Sequence, residues 1–141
     1  MILLYVPARA GSKGVKNKNI RLLNKKPLIN YTLEIVDFLV RELGDKVFPF
    51  VSTDSEKIAH ICKNSNFTTE YRRPKELSDD YSSITSGINH AVNWLEKKNI
   101  TISNVLILQP TSPIRKTSDA IDLIDFFSEN NFESILIVIP I

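Results

Sequence analysis

The stretch ILLYVPARAGSKGVKNKNI, residues 2–20, decides the fold. An unbroken apolar run, Ile2 to Val6, ends at Pro7 and a glycine-containing loop, the pattern of a strand buried in the middle of a parallel sheet. The loop carries Arg9, Lys13, Lys16 and Lys18 with Gly11 and Gly14, and no acid. Glycines let backbone amides approach an anion closely, and Ser12 adds a hydroxyl donor. Arg9 offers a planar fork to phosphate oxygens, and Lys13 and Lys18 offer mobile point charges. A triphosphate suits such a loop. The spacing matches neither G-x-x-x-x-G-K-[ST] nor G-x-G-x-x-G, which removes the main support for kinase-like and dinucleotide-dependent dehydrogenase readings.

Working outward, strands and helices alternate. PLINYTLEIVDFLVREL (27–43) reads as a helix with Pro27 in its first turn, apolar residues at helical spacing and Gly44 as its stop. VFPFVS (47–52) reads as a strand and TDSEKIAHICKNS (53–65) as a helix that opens on capping residues. A short strand is expected near Phe67 to Glu70, a loop over 72–83, and a helix over Ile84 to Lys98 that turns Ile88, Ala91, Val92 and Leu95 inward. NVLILQ (104–109) is a third strong strand and PTSPIRKT (110–117) a loop. A capped amphipathic helix over 118–131 and a final strand, SILIVIPI (134–141), complete the order. This alternation implies an α/β fold with a mostly parallel sheet covered on both faces. Ligands of such sheets bind beyond the carboxyl ends of the strands. The opening loop, TDSE and QPTSPIR therefore fall on one edge of the molecule.

Composition agrees with an ordered single domain: 141 residues, 43% hydrophobic and 24% charged, without repeats or low-complexity tracts. No apolar run approaches the ~20 residues of a membrane helix and the start lacks a signal-peptide leader, so no membrane association and a cytoplasmic location are expected. The lone cysteine, Cys62, has no partner for a disulfide or a metal cluster and reads as a helix packing position. The net charge of +2 hides an asymmetry, because seven of the 18 basic residues precede the first acid, Glu34. A lysine run alone is ordinarily a solvated surface. Placed after a strand and without acids, this one points to an anionic partner. Nucleic acid is disfavoured, since no aromatic residue interleaves with the basic ones between Tyr5 and Tyr31.

Several polar residues carry two readings. Asp54 follows a strand end and precedes a helix, and reads equally as a pocket residue and as a cap. His60 and His90 read as packing or surface positions; the paired acids Asp79 and Asp80 could approach a nucleotide, but paired acids in a polar loop are usually solvated. Asp119, Asp122, Asp125 and Glu129 fall at helical spacing and read as a solvated face rather than a metal cage.

VPARAGSKGVKNKNI, KPLINYTLE, VSTDSEKIA, RRPKEL and LQPTSPIR, in this order and at these intervals, resemble the cytidylyltransferases that make CMP-activated acidic sugars, above all the CMP-sialic acid synthetases. The similarity runs from Met1 to Ile141, and CMP-Kdo synthetases rank second because their opening loop differs. The resemblance implies a three-layer α/β/α Rossmann-like nucleotidyltransferase fold, with residues 1–141 forming one nucleotide-binding domain. It implies CTP contacts at Arg9, Ala10, Gly11, Ser12, Lys13, Lys18 and Asn19, with Arg73 near the cytidine and Ser82 and Ser83 in a segment that approaches the base. Gln109 and Arg115 would serve the acceptor sugar. The implied reaction is attack by the anomeric hydroxyl of an acidic 2-keto sugar, sialic acid or a related nonulosonic acid, on the α-phosphate of CTP. Lys18 and Arg9 would stabilise charge there, with Mg2+ or Mn2+ bridging phosphate oxygens.

Family chains continue past the strand that SILIVIPI resembles, and that later part carries the metal-holding aspartates, more of the sugar pocket and the arm of the homodimer. The expectation is thus the N-terminal, CTP-binding portion of a synthetase, its metal ligands beyond Ile141. A natural short form that binds CTP without turning it over is the alternative.

Overall fold

A computed structural model describes residues 1–11, 14–15, 17–63, 67, 70–130 and 132–135. The opening apolar run forms strand β1 (Ile2–Pro7), followed by a 3-10 turn at Lys18–Ile20 and a small antiparallel ribbon, β2 (Leu22–Leu23) and β3 (Lys26–Pro27). Helix α1 (Leu28–Leu43), strand β4 (Val47–Ser52), helices α2 (Glu56–Cys62) and α3 (Ile84–Glu96), strand β5 (Asn104–Ile107) and helix α4 (Thr117–Glu129) follow.

β4, β1 and β5 form a parallel sheet with β1 in the centre, Tyr5 standing opposite Phe50 on one side and Ile107 on the other. Alternation along the strands sorts the core into two layers. Leu4, Val6, Val47 and Val51 pack with Ile29, Leu33, Val36 and Leu39 of α1, Ile58 and Cys62 of α2, and Ala120 and Ile124 of α4. Leu3, Tyr5 and Phe50 face the other way, against Tyr71 and the α3 residues Ala91 and Leu95. Helices thus cover both faces, as the alternating sequence predicts.

The chain turns from β1 to β4 on one side and then crosses to β5 on the other. This reversal at the central strand is where parallel sheets open a crevice at their carboxyl ends.

Several features differ from expectation, among them the ends of α3 at Glu96 and of β5 at Ile107, each two residues short. Ser55 is the N-cap of α2, its Oγ accepting from the Ile58 amide, so this helix starts at Glu56 and ends at Cys62. α4 begins at Thr117 with Lys116 at its cap position and no side-chain cap bond, so the expected capping there is absent. The ribbon is an element that the apolar pattern does not announce, because its strands are two residues each. Its turn places Asn24 and Lys25 at φ 49° and 65°, the paired positive φ of a type I′ hairpin, and Asn24 was the available signal. Parts of two expected strands, residues 68–69 and 136–141, lie outside the described residues, while Ser134 and Ile135 carry no strand.

Candidate active site at the carboxyl edge of the sheet

The loop after β1 is held by its backbone. The Ala8 amide donates to the Ser52 carbonyl (2.9 Å), prolonging the β1–β4 ladder by one bond. The Ala10 amide donates to Asp54 Oδ1 (2.7 Å), and the buried Asn19 donates from Nδ2 to the Arg9 carbonyl (3.0 Å). Asn17, at φ 54° in the left-handed region that asparagine tolerates, turns the chain into the 3-10 turn that carries Lys18 and Asn19. A shallow recess opens here, lined by Arg9, Ala10, Asn17, Asn19, Ile20, Ser55 and Ile58.

Arg9 reaches across the edge to the 78–80 segment, pairing with Asp80 (Nη2 to Oδ1, 2.7 Å) and donating to the Ser78 carbonyl (3.3 Å). Lys18, half-buried, makes no ion pair and no side-chain hydrogen bond with any described residue. Ser12 and Lys13, both expected at the triphosphate, lie outside the described residues.

Arg73 sits beneath the same edge, 9% exposed. Its amide donates to the Thr53 carbonyl (2.8 Å), Nε to Ser52 Oγ (2.9 Å) and Nη2 to the Tyr5 hydroxyl (3.0 Å). Ser82 and Ser83 are placed close by in sequence order, but their hydroxyls serve local structure. Ser82 Oγ donates to Asp79 Oδ1 (2.6 Å), and Ser83 is the N-cap of α3, accepting from the Ser86 amide (3.0 Å). Those bonds from Ser82 hold the Asp79 carboxyl below the usual carboxylate range.

After β5, Arg115 folds back on its own loop, Nη2 donating to the Gln109 carbonyl (2.6 Å) and leaving the Gln109 side chain exposed. Burial lowers the pKa of the Arg115 guanidinium, and Nη1 is buried without a hydrogen-bond partner among the described residues.

Sequence reasoning missed three contributors: Asp80 as partner of Arg9, Tyr5 as partner of Arg73, and Asp54 as the acceptor for the loop. All three contacts join residues more than forty positions apart. Asp54 is not the cap, which is Ser55; its carboxylate takes the Ala10 amide of the opening loop. Among the described residues no three His, Cys, Asp or Glu side chains are grouped to hold a metal ion. No helix among them is long and apolar enough to cross a membrane.

The family model described as Cytidylyltransferase matches residues 3–135. The chain belongs to that family. Among curated relatives of this cytidylyltransferase chain, CMP-N,N'-diacetyllegionaminic acid synthase of Legionella pneumophila is 37% identical over 115 residues, covering 82% of this chain and 48% of the relative. N-acylneuraminate cytidylyltransferase of Escherichia coli is 36% identical over 128 residues, covering 89% and 28%. Pseudaminic acid cytidylyltransferase of Campylobacter jejuni is 35% identical over 112 residues, covering 79% and 47%. The chain therefore spans about half, or less, of the length of these relatives.

Among solved structures, a CMP:2-keto-3-deoxy-manno-octonic acid synthetase complexed with CTP superposes with a TM-score of 0.67 at 19% identity, over 92% of this chain and 48% of that one. This likeness confirms the nucleotidyltransferase fold that the motifs imply.

Proposed function

We propose that this cytidylyltransferase chain binds CTP at the carboxyl edge of its sheet and serves the transfer of CMP to an acidic 2-keto sugar. The observation that carries the reading is the tethered opening loop, which brings Arg9 and Asn19 to one recess at the place where the strand order reverses, with Lys18, unpaired among the described residues, next to Asn19 in the chain. The relatives named for legionaminic, neuraminic and pseudaminic acids support the acceptor class.

In the proposed reaction the anomeric oxygen attacks the α-phosphorus. The bond from that phosphorus to the bridging oxygen of the β-phosphate breaks, pyrophosphate leaves with the electron pair, and the hydroxyl proton passes to solvent. Developing negative charge on the phosphoryl oxygens would meet Lys18, whose ammonium no described residue neutralises. Arg9 would offer its fork to the outer phosphates once it exchanges Asp80 for them. Arg73 would serve the nucleoside, and Gln109, with its side chain exposed on the loop that Arg115 closes, would serve the sugar. Magnesium or manganese belongs to the same reading as the companion of CTP. Asp54 and Asp80 are each already bonded within the protein and would have to leave those partners to hold the ion.

Calorimetric titration with CTP, and with ATP as the contrast, tests binding; pyrophosphate release in the presence of sialic, legionaminic or pseudaminic acid tests turnover. Lys18→Ala is expected to abolish pyrophosphate release while leaving the circular dichroism spectrum unchanged. Equal release by Lys18→Ala and the parent would remove the assigned role. Saturable CTP binding without release for any acid would leave a nucleotide-binding module in place of a transferase.

A further inference from the structure

The guanidinium of Arg73 is buried, yet no acid among the described residues pairs with it. A buried cation without a counter-ion is costly unless its surroundings fix it for a purpose. Both of its side-chain contacts are neutral oxygens, Ser52 Oγ on Nε and the Tyr5 hydroxyl on Nη2. These two atoms form one edge of the fork. The other edge, Nη1 with the outer hydrogen of Nη2, has no hydrogen-bond partner among the described residues.

Tyr5 is itself packed on all sides. It is fully buried in the central strand, its ring stacked on Phe50 at 6.2 Å and 11°. From above, α3 presses on the hydroxyl with a glycine: a Cβ at Gly87 would stand 2.8 Å from the Tyr5 oxygen and 3.6 Å from Arg73 Cζ. That distance is shorter than carbon and oxygen tolerate, so only glycine leaves room for the Tyr5–Arg73 bond.

We propose that Tyr5 is a positioning residue, and Gly87 its steric requirement, setting the free edge of Arg73 toward the nucleoside end of CTP. The inference rests on the CTP reading above and adds residues that none of the motifs singled out. The triphosphate end has its own holders, Arg9 and Lys18, so the two ends of the ligand can be probed separately.

The test titrates CTP and inorganic tripolyphosphate against the parent chain, Tyr5→Phe, Gly87→Ala, the double variant and Arg73→Met, with thermal melts on each. Tyr5→Phe keeps the ring stack and removes only the oxygen. It is expected to weaken CTP about tenfold, the order for a lost hydrogen bond to a charged group, and to leave tripolyphosphate unchanged. Gly87→Ala should lower the melting temperature, and removing the Tyr5 oxygen in the double variant should restore much of that loss. The positioning role is overturned if Tyr5→Phe binds CTP as the parent does, or if it weakens CTP and tripolyphosphate alike. If Arg73→Met leaves CTP binding unchanged, the placement of the nucleoside fails and the inference with it. If only Tyr5→Phe is without effect, the nucleoside placement stands and this inference alone falls.

Discussion

Replacing Asp54 tests whether the opening loop is built in advance of its ligand. Asp54→Ala removes the acceptor that lies 2.7 Å from the Ala10 amide in a half-buried setting, while touching neither the strands nor the helix cap at Ser55. Leaving that amide without a partner costs about 1–3 kcal/mol. The cost can surface in two ways. If the loop keeps its shape, stability falls by that amount, about 3–4 °C of melting temperature per kcal/mol for a chain of this size. If the loop relaxes in the free protein, stability is spared and CTP binding must restore the loop, which lowers affinity by about 5- to 150-fold. The two losses should therefore sum to about 1–3 kcal/mol, however they divide. Asp54→Asn keeps an oxygen that can accept from Ala10 and gives up the charge, so it should recover roughly half, since charge-assisted bonds are about twice as strong as neutral ones. Calorimetry with CTP and a thermal melt on each variant measure both parts. An Asp54→Ala variant that melts and binds like the parent would show that the bond does not organise the loop.

Other predictions concern single side chains. Arg9 and Asp80 pair at a half-exposed position, so Asp80→Asn should change stability by less than about 1 kcal/mol. It should also tighten CTP a few-fold at low salt, by removing the competitor for Arg9, with the gain fading as salt rises. Burial pushes the Cys62 thiol up to about 12 from an ordinary 9.0, so folding favours the protonated form. The stability this brings is whole below pH 9.0 and is lost as pH rises toward 12; Cys62→Ala should lack that part of the alkaline decline. Native protein should likewise resist iodoacetamide at pH 8, and alkylation as fast as in urea would contradict the burial. Gly44 ends α1 at φ 54° and ψ −128°, a conformation that residues with a Cβ avoid. Gly44→Ala should therefore lower stability by about 1–3 kcal/mol in denaturant titration.

What the sequence made legible follows from how each feature is encoded. β1, β4 and α1 are carried by unbroken or periodic apolar residues, and all three formed within a residue of where the pattern places them. The ribbon escaped because strands of two residues leave no period to read. α2 starts later than expected because Thr53, Asp54 and Ser55 all look like caps, while residues 64–65 of its expected end lie outside the described residues. Only Ser55 is one: Thr53 Oγ1 accepts from the Ser55 amide, and Asp54 turns to the loop. The basic loop could be singled out from its own residues, since charge and glycine content are local properties. Its supports could not, because Asp54, Asp80 and Tyr5 reach their partners across 44, 71 and 68 positions, and no local pattern encodes such pairs.

Those supports give the VSTDS segment a physical reading. Ser52 is fully buried at the end of β4; its carbonyl accepts from the Ala8 amide, which starts the opening loop, and its hydroxyl accepts from Arg73 Nε. The Thr53 carbonyl accepts from the Arg73 amide, and Asp54 takes the Ala10 amide. Three consecutive residues thus splint two segments that are more than sixty positions apart, the loop proposed for the triphosphate and the arginine proposed for the nucleoside. A ligand that needs both segments at once loses less freedom on binding when they are already fixed to a common strand end. Small polar residues suit these positions because each must offer an oxygen to a neighbouring segment without filling the crevice above it. The segment's polarity comes from holding the candidate site together, and the positive charge comes from the loop it holds.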